Sequence, residues 1–523
     1  MGCSGCRGCS RRTCGRRGRL RDPARRQDRP RDRSPGRAGE RLTHMLLALL
    51  ASCVSPTDYG AVPDDRGDDA PAFQRAIDKA IADRAEVCVP PGVWHLARAV
   101  GHIGSVQVVG GDGPGLGPLT IRGAGARTVL RMSGQGHRRE WGVIYFKNAH
   151  DVVIRDLVID GLDATDTKEQ THLIELGPGT HDVVISHVTL GPMRRPDQKI
   201  GEGIGGDCLR LLGEVGHEVA DVVVADTQFV DCDRSGVGIQ RALRDITLVR
   251  DTISGTGDTS IDFEPTGHGS IEDVALVDLT IHHPPEAQCA WSITLTGIGE
   301  ELARRLLVER STLDGGGIAM LNVADVEIAD NQITSHPRAG PKPTISVIRR
   351  GSNLRVVRNS IARGAGSDPG FVFRAEHTNG QVPHDITIAD NTLAQATPHP
   401  VIGAISVSGV VVRHNVIDLA AVAPGIPVVQ ASAVIADMSG VSVEDNDVRG
   451  AAGALVAASV RGDHKLSALA LRSNRAGGVP ALHCDGPAGS ISVSSDQPVA
   501  ETSGCRGVPV PPVAAPAPPA PPR

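Results

Sequence analysis

Carboxylates and an arginine recur at one phase of a repeated short strand, and these residue types suit general acid–base chemistry. The segment SIDFE (260–264) presents Asp262 and Glu264 on one strand face, with Cβ atoms about 6.5–7 Å apart. Glycoside hydrolysis needs one carboxyl as acid and another as base or nucleophile. Separations of roughly 5–5.5 Å suit retention and roughly 6.5–9.5 Å suit inversion, so this pair fits inversion. Aligning the equivalent strands of neighbouring repeats adds Tyr145, Glu175, Arg210 and Gly238 to Asp262, an outward column stepping by about 4.8 Å. His172 and Asp207 stand at the starts of their strands beside it, and His268 follows Glu264 closely. Asp262, Glu264, Arg210 and Glu175 are therefore the candidate catalytic residues, with Tyr145, His172, Asp207 and His268 as candidate substrate contacts. In a hydrolase Arg210 would hold an acidic sugar. In a lyase or epimerase it would neutralise a uronate while Tyr145, His172 or His268 removes the C5 proton. Gly238 is expected to leave a gap for a sugar between Arg210 and Asp262. The insertion MRRPDQKIGEGIGG (193–206) is expected to form a wall beside it.

A repeat must position these residues. Twelve segments share one pattern, among them DVVIRDLVI from Asp151, DVVVADTQF from Asp221, DITLVRDTI from Asp245, DVEIADNQI from Asp325 and DITIADNTL from Asp385. Successive starts lie 20 to 39 residues apart. Apolar residues alternate with polar ones, the period of a strand, and a two-residue step leads to a second short strand. A third strand, such as LIEL (173–176), usually lies in the spacer. Three short strands per repeat without an intervening helix predict an all-β parallel β-helix, a solenoid of about 12 coils over 101–500. Each coil buries its Val, Ile and Leu against its neighbours. Asn331, Asn359, Asn391, Asn415, Asn446 and Asn474 all occupy the seventh position, which predicts an amide ladder at a stacked turn.

The first coil needs a lid, because its open end would expose apolar residues and unpaired strand groups. Asp58 to Ala85 supplies a helix: Asp69 is the expected N-cap, Pro71 sits in the first turn, and Phe73, Ile77 and Ile81 make one apolar face. Residues 54–100 are read as this cap with the first strands.

Composition limits the alternatives. An apolar fraction of 40% excludes wholesale disorder, and no apolar run reaches the ~18 residues of a spanning helix. Residues 1–41 hold 14 Arg and four acidic residues, a net +10, which leaves −16 on the rest of the chain. So acidic a body excludes nucleic acid as its partner. Residues 1–44 are low-complexity and are read as upstream sequence translated from a misplaced start; residues 501–523 are a Pro-rich tail. Cys3, Cys6, Cys9 and Cys14 lack the surrounding fold of an iron–sulfur site. The scattered cysteines after Cys53 are expected to be buried thiols, with a Cys484–Cys505 bridge open to an exported chain.

Two resemblances extend the reading. The run Met45 to Cys53, ending Leu50-Ala51-Ser52-Cys53, resembles a bacterial lipoprotein signal. It implies export, lipidation at Cys53 and membrane contact only through that anchor. Residues 58–94, with an Asp-aromatic-Gly-Ala start, an Asp-rich turn, a helix containing Ile-Asp and a strand running into Pro-Pro-Gly, resemble the leading motif of the pectate-lyase superfamily. The resemblance implies a right-handed coil and a polysaccharide partner handled by a lyase, a glycoside hydrolase or an epimerase. A lyase or epimerase would bring Ca²⁺ into question as cofactor, and trimers occur among the tail-depolymerase relatives. Gly267-His268-Gly269 resembles a polygalacturonase motif, but its companion Asp pair and Arg-Ile-Lys are missing, as is the Asp-Pro-His-Glu of mannuronan epimerases. A non-catalytic glycan-binding or adhesin-like surface protein is the alternative reading, and the scarcity of aromatic residues agrees with it.

Overall fold

The computed structural model describes residues 52–509 apart from 98–102, 112–114, 135–140, 165–170, 195–197, 201–204, 265–267, 298–300, 337–341, 365–366, 369, 420–424, 451, 478 and 498–504. The expectations for residues 1–44, for the apolar run 45–51 and for the tail beyond 509 lie outside this set. The rest winds into a solenoid whose strands stack in three parallel ladders. The first ladder runs through Leu119–Arg122, His181–Leu190, Val219–Ala225, Leu243–Val249 and onward to Ile491–Ser495. The second climbs from Gly92–Ala97 through Thr128–Gly134 to Asp447–Arg449. The third climbs from Gly104–Val109 through Trp141–Lys147, Thr171–Leu176, Leu209–Leu212, Val237–Gln240, Ile261–Glu264 and Trp291–Thr296 to Leu482–Asp485.

The repeat dictates this path through its backbone angles. The first and sixth residues of a repeat take the left-handed conformation, as at Asp221 (φ 53°) and Asp226 (52°), or Asp325 (56°) and Asp330 (57°). Asp tolerates that region because its short polar side chain can bond locally, which explains why Asp opens so many repeats. Between these corners the second and fourth residues point inward: Val222 and Val224 are fully buried, as is Phe229 after the corner. Each apolar position then stacks on its equivalent one coil away, and one continuous core results.

The amide ladder forms as expected. Asn331 Nδ2 donates to Asn359 Oδ1 at 2.9 Å, and the series continues through Asn391, Asn415 and Asn446 to Asn474. Each Oδ1 also accepts the backbone N–H of the preceding Asn, and each Nδ2 reaches a carbonyl of the preceding coil, as Asn331 does to Val308. Ser311 and Asp251 fill the equivalent position in two earlier coils, accepting from the N–H of Leu279 and Thr227.

Helix α1 (Ala70–Asp83) lies at the N-terminal end, with Phe73 and Ile77 buried and Phe73 edge-on to Trp94 at 5.5 Å. Asp69 holds the N-cap position, as expected, but its side chain makes no capping bond to the helix. Its carboxylate accepts the N–H of Val62 (2.9 Å) and of His95 (3.2 Å), tying the lid to the second ladder, and Asp68 accepts the N–H of Ala70 instead.

The cysteines differ from the expectation of single thiols. Cys208 bonds Cys232 and Cys53 bonds Cys88; Cys484 bonds Cys505, as the sequence allowed. Stacking places residues about 20–35 positions apart one coil above another, close enough for a bridge. A sulfur bonded to Cys88 cannot also carry a thioether lipid, so this bond and lipidation at Cys53 exclude each other.

Candidate functional site

The outward column exists in the expected register. On the third ladder Tyr145 pairs with Glu175, Glu175 with Arg210, Arg210 with Gly238, Gly238 with Asp262, and Asp262 with Thr294. The flanking pairs, from Ile144/Phe146 to Ile261/Phe263, are buried in the core.

Much of the column is nevertheless closed. Tyr145, Glu175 and Arg210 are 5%, 3% and 5% exposed, and His172 and Asp207 are fully buried. Arg210 is committed within this closed part: Nε and Nη2 donate to Gln240 Oε1 at 3.2 and 2.8 Å, and Nη1 lies 3.7 Å from Glu175 Oε2. It therefore offers no clamp to a uronate. His172 receives the Asp207 N–H at Nδ1 (3.1 Å) and faces Arg210 Nη1 at Nε2 (3.3 Å). Burial, then the Arg210 charge, pushes its pKa down to about 3, so it stays neutral and out of reach of substrate. A Cβ on Gly177 would meet the Tyr145 hydroxyl at 3.0 Å, which places that hydroxyl at the far end of its strand. His268 is exposed beyond the strand, and none of its described contacts joins it to the carboxylates. The space over Gly238 is not a sugar site: a Cβ there would meet Asp207 Oδ2 at 2.3 Å, so the glycine makes room for that carboxylate.

The accessible chemistry gathers at the Asp262 end and draws on the stacked turns between the second and third ladders. Arg234 sits in one such turn, its N–H on the Gly206 carbonyl, and Asp258 one coil further, its N–H on the Arg234 carbonyl (3.0 Å). Arg234 holds Asp207 in a two-pronged pair, Nε to Oδ1 at 2.8 Å and Nη2 to Oδ2 at 2.7 Å, and Nη2 also reaches Glu264 Oε2 at 3.2 Å. Gln240 donates to the same Glu264 oxygen. The Thr294 hydroxyl donates to Asp262 Oδ1 at 2.5 Å. Two attachments fix the turns. The Cys208–Cys232 disulfide joins the one beside Asp207 to the one bearing Arg234, and the insertion lays Arg194 on Asp231 (2.9 Å) and Gln198 on Asp233 (3.0 Å). The described part of the insertion thus packs on the next turn, beside the column as expected.

Partial burial sorts the carboxyls. Asp207 is pushed up by desolvation, but the Arg234 charge and hydrogen bonds outweigh that and hold it below the ordinary value, an anion at all working pH. Arg234 is correspondingly a permanent cation. Asp262 and Glu264 are raised by desolvation, against the pull of Thr294 on the first and of Arg234 on the second. Asp258 is raised to about 7 by desolvation and then by the neighbouring Asp262 charge, and its Oδ1 has no hydrogen-bond partner. Three carboxyls with raised pKa share one cation already paired to a fourth. Such a set supplies a protonated acid beside an ionised base near neutrality.

Asp258 and Arg234 escaped the sequence reading because it aligned only the strand column; Gln240 lies in an aligned strand opposite Glu264 and was passed over there. Carrying the register back through the turn would have aligned Gly206, Arg234 and Asp258. No aromatic platform borders the cluster among the described side chains: Trp291 is buried and donates its Nε1–H to the Pro343 carbonyl. No group of three or more metal-ligating side chains stands together among the described residues.

Comparison with known proteins agrees with this architecture. Residues 53–261 match the family model for rhamnogalacturonase A/epimerase, pectate lyase-like. The tailspike protein of E. coli bacteriophage HK620, solved with a pentasaccharide, superposes with a TM-score of 0.60 at 14% identity, over 84% of this chain and 80% of that one. A mutant of that tailspike with a hexasaccharide gives 0.59 at 13% identity over the same shares. The A-module of the Azotobacter vinelandii mannuronan C-5 epimerase AlgE4 aligns over 87% of this chain and all of its own at 15% identity, with a TM-score of 0.37. No curated protein matches the chain. The fold is a parallel β-helix, and its N-terminal part, residues 53–261, is similar to the pectate lyase-like family.

Proposed function

We propose that this protein is an exported glycoside hydrolase acting on an extended, acidic polysaccharide, with Asp258, Asp262 and Glu264 as its acid–base group. The observation that carries the reading is the convergence of three raised, half-buried carboxyls around Arg234 at the Asp262 end of the column. Asp258, protonated up to about pH 7, acts as general acid on the glycosidic oxygen. Asp262 or Glu264 acts as the base that activates water on the opposite face. Arg234 steadies the ionised partner and keeps Asp207 from drawing that proton. The tailspike, solved with bound oligosaccharides on a similar solenoid, supports a glycan as partner, and the disulfides among the described residues support an oxidising compartment. A lyase has less support, because Arg210 is already bonded to Gln240 and buried.

The test is a panel of polyuronides and neutral glycans, followed together for C4–C5 double bonds by ultraviolet absorbance and for new reducing ends, with and without Ca²⁺. Reducing ends without double bonds support the hydrolase. Double bonds would return the assignment to a lyase. Binding without turnover of any glycan would make the protein a glycan-binding module.

A further inference from the structure

Away from the carboxylate cluster, a pocket of about 450 Å³ opens where the second ladder ends in its first coils. Its volume lies in the range of small-ligand sites and accommodates a sugar ring or two. Arg66, from the turn before α1, lines it together with His95, Ser133 and Asp163. Asp163 lies 3.4 Å from His95 Nδ1 and 4.0 Å from Arg131 Nη1, while Arg131 is held by Asp160 through two bonds of 2.9 Å. The charges of Arg131, Asp160 and Asp163 are thus mutually engaged, and His95 is mostly buried. Arg66 is different: it is exposed and has no ion pair or hydrogen bond among the described residues. The pocket therefore presents one unengaged guanidinium, a partly exposed carboxylate and a hydroxyl. Those groups match the carboxylate and the ring hydroxyls of a uronic acid.

Position relates this pocket to the cluster. Ser133 pairs with Asp163 at the end of the second ladder, and in later coils the chain leaves the same ladder end to reach Arg234 and Asp258. Both features lie along one edge of the solenoid, separated by about three coils, or roughly 14 Å along the axis. A coil step is close to the length of one pyranose unit, so a single glycan strand laid along the edge spans both.

We infer that the Arg66–His95–Asp163 pocket is a distal subsite for a uronic acid unit of the glycan, with Arg66 binding its carboxylate. This deepens the proposed function and rests on it for the identity of the chain that is bound. The subsite makes longer acidic oligosaccharides bind more tightly than short ones, because only they reach from the cluster to the pocket.

The experiment is calorimetric titration of the full chain, and of Arg66→Ala, Arg66→Lys and Asp262→Asn, with acidic oligosaccharides of two and six units and a neutral hexamer. Arg66→Ala is expected to weaken acidic hexamer binding about tenfold or more, the scale of a lost charge-assisted contact, with little change for the dimer or the neutral hexamer. Arg66→Lys should recover part of it. Unchanged hexamer binding in Arg66→Ala overturns the subsite, as does failure of every acidic hexamer to bind the wild-type chain. Reducing-end assays on the same variants separate the two readings. Turnover lost in Asp262→Asn with Arg66→Ala binding as the wild type leaves the hydrolase and removes the subsite. Arg66-dependent binding in a chain without turnover does the reverse.

Discussion

Asp251 stands where later coils place asparagine, and replacing it should stabilise the protein. Its side chain is 1% exposed; Oδ1 accepts the Thr227 N–H at 2.8 Å, while Oδ2 has no hydrogen-bond partner. An asparagine in this register sends Nδ2 to the carbonyl four residues into the preceding repeat, as Asn331 does to Val308, and the equivalent carbonyl here belongs to Val224. Desolvation, only partly offset by the Thr227 N–H, raises the Asp251 carboxyl well above the ordinary value. A raised carboxyl means that the folded chain holds a proton which the unfolded chain releases. Stability is therefore lost as pH rises from the ordinary carboxyl value through the folded one. Asp251→Asn removes this dependence and satisfies the buried oxygen position, a gain of about 1–3 kcal/mol at neutral pH. At pH 4 the gain should shrink towards zero, since the wild-type carboxyl is then protonated. Thermal and urea unfolding of both chains from pH 4 to 8, with amide exchange at Thr227 as a local probe, measures it. A variant less stable than the wild type at pH 7, or a pH-independent difference, would refute the reasoning.

Other substitutions test the site and the scaffold. If Asp258 is the acid, activity on the first glycan cleaved should fall as pH rises through about 7, and this limb should be absent from the residual activity of Asp258→Asn, read from pH–rate profiles. Gly238→Ala sets a methyl 2.3 Å from Asp207 Oδ2 and should disturb the Asp207–Arg234 pair, costing about 1–3 kcal/mol and most of the turnover; melting and reducing-end assays read both. Asn391→Ala removes bonds to Val356, Asn415 and Asn359 in the middle of the ladder and should cost roughly 3 kcal/mol in urea unfolding, leaving the distant cluster's chemistry unchanged.

The parts legible in the sequence are those that repetition writes many times. Asp at the first position, the inward Val and Ile at the second and fourth, and Asn at the seventh occur in coil after coil, so the ladders, the core and the amide stack could be aligned before any coordinates. The outward register from Tyr145 to Asp262 followed from the same alignment. What failed was depth and partnership. Nothing in the repeat indicates that Arg210 would be committed to Gln240, that His172 would lie fully buried, or that the Asp207 carboxylate would fill the room over Gly238. These are contacts between side chains of adjacent coils and their turns, where lengths vary and the pattern lapses. Asp258 and Arg234 lie in those turns, and so did not register as chemistry. The pairing of Cys53 with Cys88 likewise depends on how the lid meets the first coil.

The central claim is that the carboxyl cluster on Arg234 cleaves a glycan. Its most direct test is the rate of reducing-end release by the wild-type chain and by Asp258→Asn on a polyuronide that both bind. The account predicts turnover by the wild type and a loss of about 100-fold or more in the variant, with binding and melting temperature retained. Equal turnover by the two chains would contradict it.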